Sequence, residues 1–319
     1  MMSNRARWVL LMAAAGLATV LVGCSSGAGR QTPSPTGTAT ETPSAGVLQG
    51  RLLFSQFVEA THTFADSFTC RPDGSDVTAI PMPGPEGGGR WSRSGKEIAV
   101  MTVLADGRIG TAIIAPNGRV LRILEIPDPT LNLGPGPWSS DDSRIACHGW
   151  DDADPSRNGI YTVRSSDGGD LQRLTTAPDR GNDEPGDYSP DGQLVFMRAA
   201  GDEGPGPLML VDANGGKPRS LIKAPMEDAG RFAPDGRSVL SSSDWYIEVI
   251  DLDGKVLNRF TVEGAHLFGP AWSPDGTRVA FSMGTGGPRA ELYTSLPDGT
   301  DRQRVTHTAE NEIVVDWGP

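Results

Sequence analysis

The sequence predicts an all-β chain: a six-bladed β-propeller of four-stranded blades, with the last blade closed by both termini. Three observations carry this. An aromatic residue, a four-residue turn and an apolar strand recur five times, and the aromatic returns once more at Trp317. Successive aromatics are 47, 50, 44, 40 and 45 residues apart, and a period of about 40–50 residues marks propellers and similar arrays. Glycine (41) and proline (26) are abundant, and beyond residue 23 no window reads as a useful amphipathic helix, which suits short strands joined by turns.

The N-terminal residues are set apart from the array. Arg5 and Arg7 precede an apolar or small run from Val9 to Val22, broken only by Thr19. This is the charged and then hydrophobic layout of an export signal, too short to span a membrane, which needs about 20 apolar residues. The run ends in Leu21-Val22-Gly23-Cys24. These four residues resemble the lipobox of bacterial lipoproteins. The resemblance implies cleavage before Cys24, a diacylglycerol thioether on its sulfur and often a further acyl chain, such as palmitate, on the new amine. Residues 1–23 are then the signal peptide, and Cys24 holds the chain at the cell membrane on its extracytoplasmic face. Two or three acyl chains anchor stably where one is marginal. Residues 24–46 carry the lipid and a tether almost entirely of Ser, Thr, Pro, Gly and Ala. Such a composition cannot bury a core and is expected to be disordered, with a root-mean-square span of about 26 Å.

Composition bounds the partners. The chain carries 28 basic and 40 acidic residues, a net charge of −12; losing Arg5 and Arg7 with the signal leaves 26 against 40, or −14. Nucleic acid requires a basic face to neutralise phosphate, so that partner is excluded. Mean hydropathy is −0.30. Cys70 and Cys147 are 77 residues apart with no Cys-x-x-Cys pair. They read as buried thiols, although an exported chain can join such residues.

From residue 47 to residue 319 the chain is the array. Its five complete repeats begin at Trp91-Ser92-Arg93-Ser94-Gly95, Trp138-Ser139-Ser140-Asp141-Asp142, Tyr188-Ser189-Pro190-Asp191-Gly192, Phe232-Ala233-Pro234-Asp235-Gly236 and Trp272-Ser273-Pro274-Asp275-Gly276. Proline presets the first central position of a type I turn, and glycine takes the left-handed position that lets the strands re-pair. The first two repeats lack the proline. The second also lacks glycine, and its Asp142 must take that backbone. A second hairpin turn stands in each repeat, at Asp73-Gly74, Asn117-Gly118, Asp167-Gly168, Gly215-Gly216, Asp253-Gly254 and Asp298-Gly299. Each repeat therefore holds strands A to D. Strand A of the sixth comes from the C-terminus, ending Trp317-Gly318-Pro319, and strands B to D come from about residues 51–80, which removes free sheet edges. The aromatics read as core, packing blade on blade.

The Trp-Ser-Pro-Asp-Gly pattern before a Val-Ala-Phe strand, with the Leu-Tyr…Asp-Gly element after it, resembles the repeats of TolB-type, or WD40-like, β-propellers. The resemblance covers about residues 50–319. It implies the fold and points to partner binding. The same repeats also occur in peptidase-linked propellers and oligogalacturonate lyases, so function must be read from a site.

Candidate chemistry is sparse. There is no Walker loop, no GxGxxG after a strand and no HExxH. The Gly23–Gly27 GxSxG string lies in the lipobox, not on a strand-to-helix elbow. His62, His148, His266 and His307 stand apart in the sequence. The run Asp151-Asp152-Ala153-Asp154 to Gly159 offers oxygen ligands but lacks calcium-loop spacing, so no metal and no cofactor is assigned, weak calcium binding at Asp152–Asp154 being left open. The positive candidates sit one residue before the aromatics on strand A: Arg90, Asp187, Arg231 and Asp316. Blade order places Asp316 beside Arg90 and Asp187 beside Arg231, either as structural salt bridges or as a charged channel rim that orients a ligand. The expectation is a monomeric, non-enzymatic scaffold that binds an envelope protein or a small ligand at a propeller face. The alternative is an enzyme on the same scaffold, such as a polysaccharide lyase or a peptidase-associated propeller.

The lipobox yields a first test. Cys24→Ser is expected to abolish fatty-acid labelling and partitioning into detergent. Wild-type chain recovered freely soluble, with another mature N-terminus, overturns the anchor.

Overall fold

The computed structural model describes residues 48–319 except 59–62, 85–86, 180, 202–203, 286–288 and 309. The signal peptide, Cys24, the tether and His62 lie outside the described residues. What is described is six antiparallel four-stranded sheets.

Blade I is β4 (Arg90–Trp91), β5 (Ile98–Val103), β6 (Ile109–Ile114) and β7 (Val120–Ile123). Blade II is β8 (Asn132–Trp138), β9 (Arg144–Trp150), β10 (Gly159–Arg164) and β11 (Gln172–Arg173). Blade III is β12 (Asn182–Tyr188), β13 (Gln193–Ala199), β14 (Leu208–Asp212) and β15 (Arg219–Ser220). Blade IV is β16 (Arg231–Phe232), β17 (Ser238–Ser243), β18 (Tyr246–Asp251) and β19 (Val256–Thr261). Blade V is β20 (Ala265–Trp272), β21 (Val279–Thr285), β22 (Ala290–Ser295) and β23 (Gln303–Arg304). Blade VI pairs β24 (Asn311–Gly318), from the C-terminus, with β1 (Arg51–Val58), β2 (Thr63–Cys70) and β3 (Thr78–Ile80), in the order β24-β1-β2-β3. The ring is thus shut by both ends of the domain, Arg51 lying opposite Gly318 and Leu52 opposite Trp317.

The inner strands touch in a closed circuit, β24 to β4, β8, β12, β16, β20 and back to β24. Such crowding demands small residues. A Cβ on Gly186 would lie 2.1 Å from the Ala229 carbonyl oxygen of the next blade. The missing glycine of blade II is replaced as the turn requires, with Asp142 at φ 60°. Its carboxylate also accepts from the backbone N–H of Arg93 at 2.6 Å and of Ser94 at 2.9 Å, tying two adjacent A–B turns together.

The core is not a single central mass. It is divided into six apolar clusters, one at each blade interface, and each contains or packs against one repeat aromatic: Trp91, Trp138, Tyr188, Phe232, Trp272 or Trp317. Stacked sheets bury both faces this way, so the strands read as nearly continuous apolar runs, as in Ile109–Ile114, buried throughout. Cys70 lies in the interface of blades V and VI and Cys147 in that of blades I and II; both are free and buried. Desolvation pushes each thiol up to about 12, which keeps them protonated and inert.

A charged staple repeats on three blades. Arg51 donates to Asp76 through a carboxylate oxygen (2.5 Å) and its carbonyl (2.7 Å), Arg144 does the same to Asp170 (2.5 and 2.6 Å), and Arg278 to Asp301 (2.5 and 2.5 Å). Each arginine begins or precedes strand B, and each aspartate closes an Asp-Gly-x-Asp C–D turn at positive φ. Arg51, from the N-terminal part, thus occupies the place that Arg144 and Arg278 hold in unbroken blades.

Closure generates the second test. Truncation after Glu312 removes Trp317 and most of β24. Burial of one such aromatic is worth about 2–3 kcal/mol, ladder bonds add to it, and a domain has only about 5–15 kcal/mol in all. The truncated chain is expected to unfold or aggregate, whereas deletion of residues 25–46 should leave the melting temperature unchanged. A truncated chain that melts like the full one refutes the shared blade.

Candidate functional site

The C-terminal ends of the inner strands and the A–B turns that follow them surround a cavity of about 290 Å³ on the propeller axis. Its wall has an apolar part, made of the repeat aromatics and of Pro137, Pro190, Pro234, Pro274 and Pro319. Pro190, Pro234 and Pro274 are by-products of turn chemistry: the residue that presets each of these A–B turns also presents a rigid apolar ring to the axis. The Ser92 and Ser273 hydroxyls at the wall are spent within their own turns, on Ser94 at 3.2 Å and on Asp275 at 2.6 Å.

All four charged residues singled out on strand A line this cavity: Arg90, Asp187, Arg231 and Asp316. They do not join as chain order suggests. Among the described residues neither Arg90 with Asp316 nor Arg231 with Asp187 closes as an ion pair. Each aspartate instead spans an interface by accepting from backbone. Asp316 accepts from Trp317 N–H at 3.0 Å and from Trp91 N–H of the next blade at 2.9 Å. Asp187 accepts from Tyr188 N–H at 2.9 Å and from Phe232 N–H of the next blade at 3.2 Å. The strand A of blades I and IV is only two residues long, and these carboxylates hold its amide groups where no longer ladder does.

The arginines turn to carbonyls. Arg90 donates to Val315 O at 3.1 Å, and Arg231 donates to Gly186 O at 2.8 Å and also to Val315 O at 3.2 Å. Blades I and IV stand on opposite sides of the ring, so two guanidinium groups meet on one oxygen and span the axis at this level. Farther along β12 stands Glu184, and just ahead of β16 stands Asp228. Burial raises both carboxyl groups, opposed by Arg90 at the first and by the Ser242 hydroxyl at the second.

One residue of the site escaped the sequence reading. Arg93, in the A–B turn of blade I, reaches over blade II to blade III and donates to Asp187 at 2.6 Å and to the Tyr188 carbonyl at 2.7 Å. Its side chain keeps 41% exposure while that of Asp187 keeps 13%. Burial pushes the Asp187 carboxyl above its ordinary range, with Arg93 pulling the other way, and Asp187 in turn raises Arg93. The available signal was an omission: Arg93 stands where blades III to V carry proline.

The other candidates lie elsewhere. Asp151 and Asp128 face the Arg157 guanidinium, with Arg157 to Asp151 at 2.7 Å and Thr130 to Asp151 at 2.7 Å. Arg157 thus takes up the Asp128 and Asp151 carboxylates. Asp154 caps a single 3-10 turn, Pro155–Arg157. Among the described residues no group of three or more His, Cys, Asp or Glu side chains is arranged to hold a metal. His148 stacks on Trp150 at 4.9 Å and His266 packs at a tilt against Trp245 at 4.1 Å, away from the cavity lining; His307 is exposed.

No family model matches the chain. An uncharacterized protein of Agrobacterium fabrum (strain C58) is 28% identical over 135 residues, 41% of this chain, and the match spans only 44% of that relative. Among solved structures, TolB from Acinetobacter baumannii aligns with a TM-score of 0.63 at 18% identity, covering 86% of this chain and 68% of the other. An oligogalacturonate lyase in complex with manganese gives 0.50 at 18% identity over 81% of this chain and 74% of its own. A prolyl endopeptidase gives 0.48 at 14% identity over 83% and 43%. The likeness to TolB is one of fold: a TolB-like β-propeller.

The Arg93–Asp187 bridge yields the third test. Asp187 is buried but Arg93 is 41% exposed, so solvent screens the pair and its loss costs about 1–3 kcal/mol; Asp187→Asn also sets an amide against the Phe232 N–H. Denaturant unfolding is expected to show a loss of that size. A change within about 0.5 kcal/mol, the range of an ordinary surface substitution, means the bridge does not form.

Proposed function

We propose that the chain is a membrane-anchored extracytoplasmic binding protein, held by lipid on Cys24 and using the axial cavity at its A–B face to bind an envelope protein or a small ligand. The observation that carries this reading is how the cavity's polar groups are used. Asp187 and Asp316 are committed to backbone N–H groups, and Ser92 and Ser273 to their turns. Groups of the kind that perform acid–base or nucleophilic work hold the wall together here. What the wall offers an incoming molecule is shape, apolar surface and guanidinium donors, which suit recognition. The lipobox supports the location, since the tether would hold such a head off a bilayer whose anionic lipids repel the −14 left once Arg5 and Arg7 go with the signal.

Ser140 lies on an exposed turn at the cavity mouth, where a larger side chain obstructs entry without entering the core. The tethered protein and its Ser140→Trp variant are each recovered from native membranes after mild cross-linking. An envelope component captured by the first and lost from the second is the expected result. Identical captures by the two variants, or none by either, would count against a binding role for this cavity.

A further inference from the structure

We propose that the axial cavity recognises a single carboxylate carried on an apolar body; this rests on the binding role above and names its ligand chemistry. The argument is a census of donors and acceptors. Asp187 and Asp316 spend both oxygens: Asp187 on Tyr188 N–H, Phe232 N–H and Arg93, and Asp316 on Trp317 N–H and Trp91 N–H. The three guanidinium groups are spent only in part. A guanidinium has five N–H donors. Arg90 uses Nη1, Arg231 uses Nη1 and Nη2, and Arg93 uses Nη2 alone. Among the described residues, the Nε–H of each, together with Nη1 of Arg93 and Nη2 of Arg90, carries no bond to protein. Unused donors in the lining thus outnumber unused acceptor sites on its carboxylates, the inverse of what a cation requires.

Charge narrows the class. Three arginines against two aspartates leave the side chains of the lining at +1 in a chain whose side chains total −12. A monoanion balances this, whereas a phosphate dianion leaves a negative charge uncompensated among apolar walls, which is costly. The planar fork of an arginine matches a carboxylate with two parallel bonds. Half-exposed Arg93 lies at the mouth and Arg90 and Arg231 lie deeper, so a carboxylate meets a cation on entry and again at the end of its path. Proline rings and aromatic edges then face the body that follows it. That carboxylate can belong to a free organic acid or to the C-terminus of a peptide.

The test titrates the full-length protein in detergent with 4-phenylbutyrate, with 4-phenylbutyramide, and with acetyl-Ala-Ala-Phe as its free acid and as its amide. The signals read are the Nε–H resonances of Arg90, Arg93 and Arg231 in the wild-type chain, which need no variant to fold. The acids are expected to shift them saturably and to bind at least about tenfold more tightly than the amides, as one charge-assisted bond implies. Arg231→Gln is expected to weaken the acids by about tenfold and the amides by clearly less, so that the preference for the acids shrinks. If the peptide acid binds more tightly than phenylbutyrate, the source is a chain end; the reverse order assigns it to a free acid. Acids and amides that shift the cavity signals equally would overturn the carboxylate inference while leaving a binding cavity in place. Failure of every probe to shift them overturns the inference as well, with the Ser140→Trp capture deciding the binding role separately.

Discussion

Seven residue pairs in antiparallel register join β24 to β1, from Arg51 opposite Gly318 to Phe57 opposite Asn311, and the molecule is organised around that ladder. Each of the other blades is built from a continuous segment and can form its hairpins locally. Only this pairing joins residues some 260 positions apart in sequence. Closing so long a loop costs more entropy than closing a hairpin, but the cost grows only logarithmically with length, by about 0.6 kcal/mol per doubling. Seven paired residues, the Trp317 side chain and the Arg51–Asp76 staple stand against it. The bond from Trp317 Nε1 to the Gln49 carbonyl at 3.1 Å extends the clamp past the end of the ladder.

The same strand makes the cavity. Val315 gives the oxygen on which Arg90 and Arg231 meet, Asp316 holds the short strand of blade I, and Trp317 stands in the wall. Fold and site are therefore not separable at blade VI. A change that loosens β24 opens the ring and dissolves the polar floor of the cavity together. At the other blades the two can be altered apart, since Pro190 and Pro234 face the axis from turns while the strands behind them pack into separate interfaces.

Much of this was legible in the chain because it is written several times. Aromatic spacing, Ser-Pro-Asp-Gly turns and Asp-Gly hairpins gave the blade number and the place where the last blade is divided. A repeat also reports what varies least, and the staple is a case where that signal was present but unread: Asp-Gly-x-Asp recurs at Asp76, Asp170 and Asp301, each with an arginine at the start of its blade's strand B. The cavity was legible only as a set of residues. Arg90, Asp187, Arg231 and Asp316 do share it, but which partner each takes is decided by rotamer and by reach across the axis. Chain order lists neighbours around the ring, whereas Arg93 crosses to the next blade but one. A long side chain in a narrow channel has partners that no nearest-neighbour reading can supply.

The position of β1 has a mechanical consequence. It is an interior strand, hydrogen-bonded to β24 on one side and to β2 on the other. A load that enters through whatever precedes Leu48 passes first into that strand and runs along its length. Its two ladders then carry the load in shear, many bonds at once, instead of opening from one end like a zipper. Hauling on the head from its N-terminal side therefore strains blade VI as a whole. Resistance to such a pull follows the unfolding rate of that blade rather than its equilibrium stability.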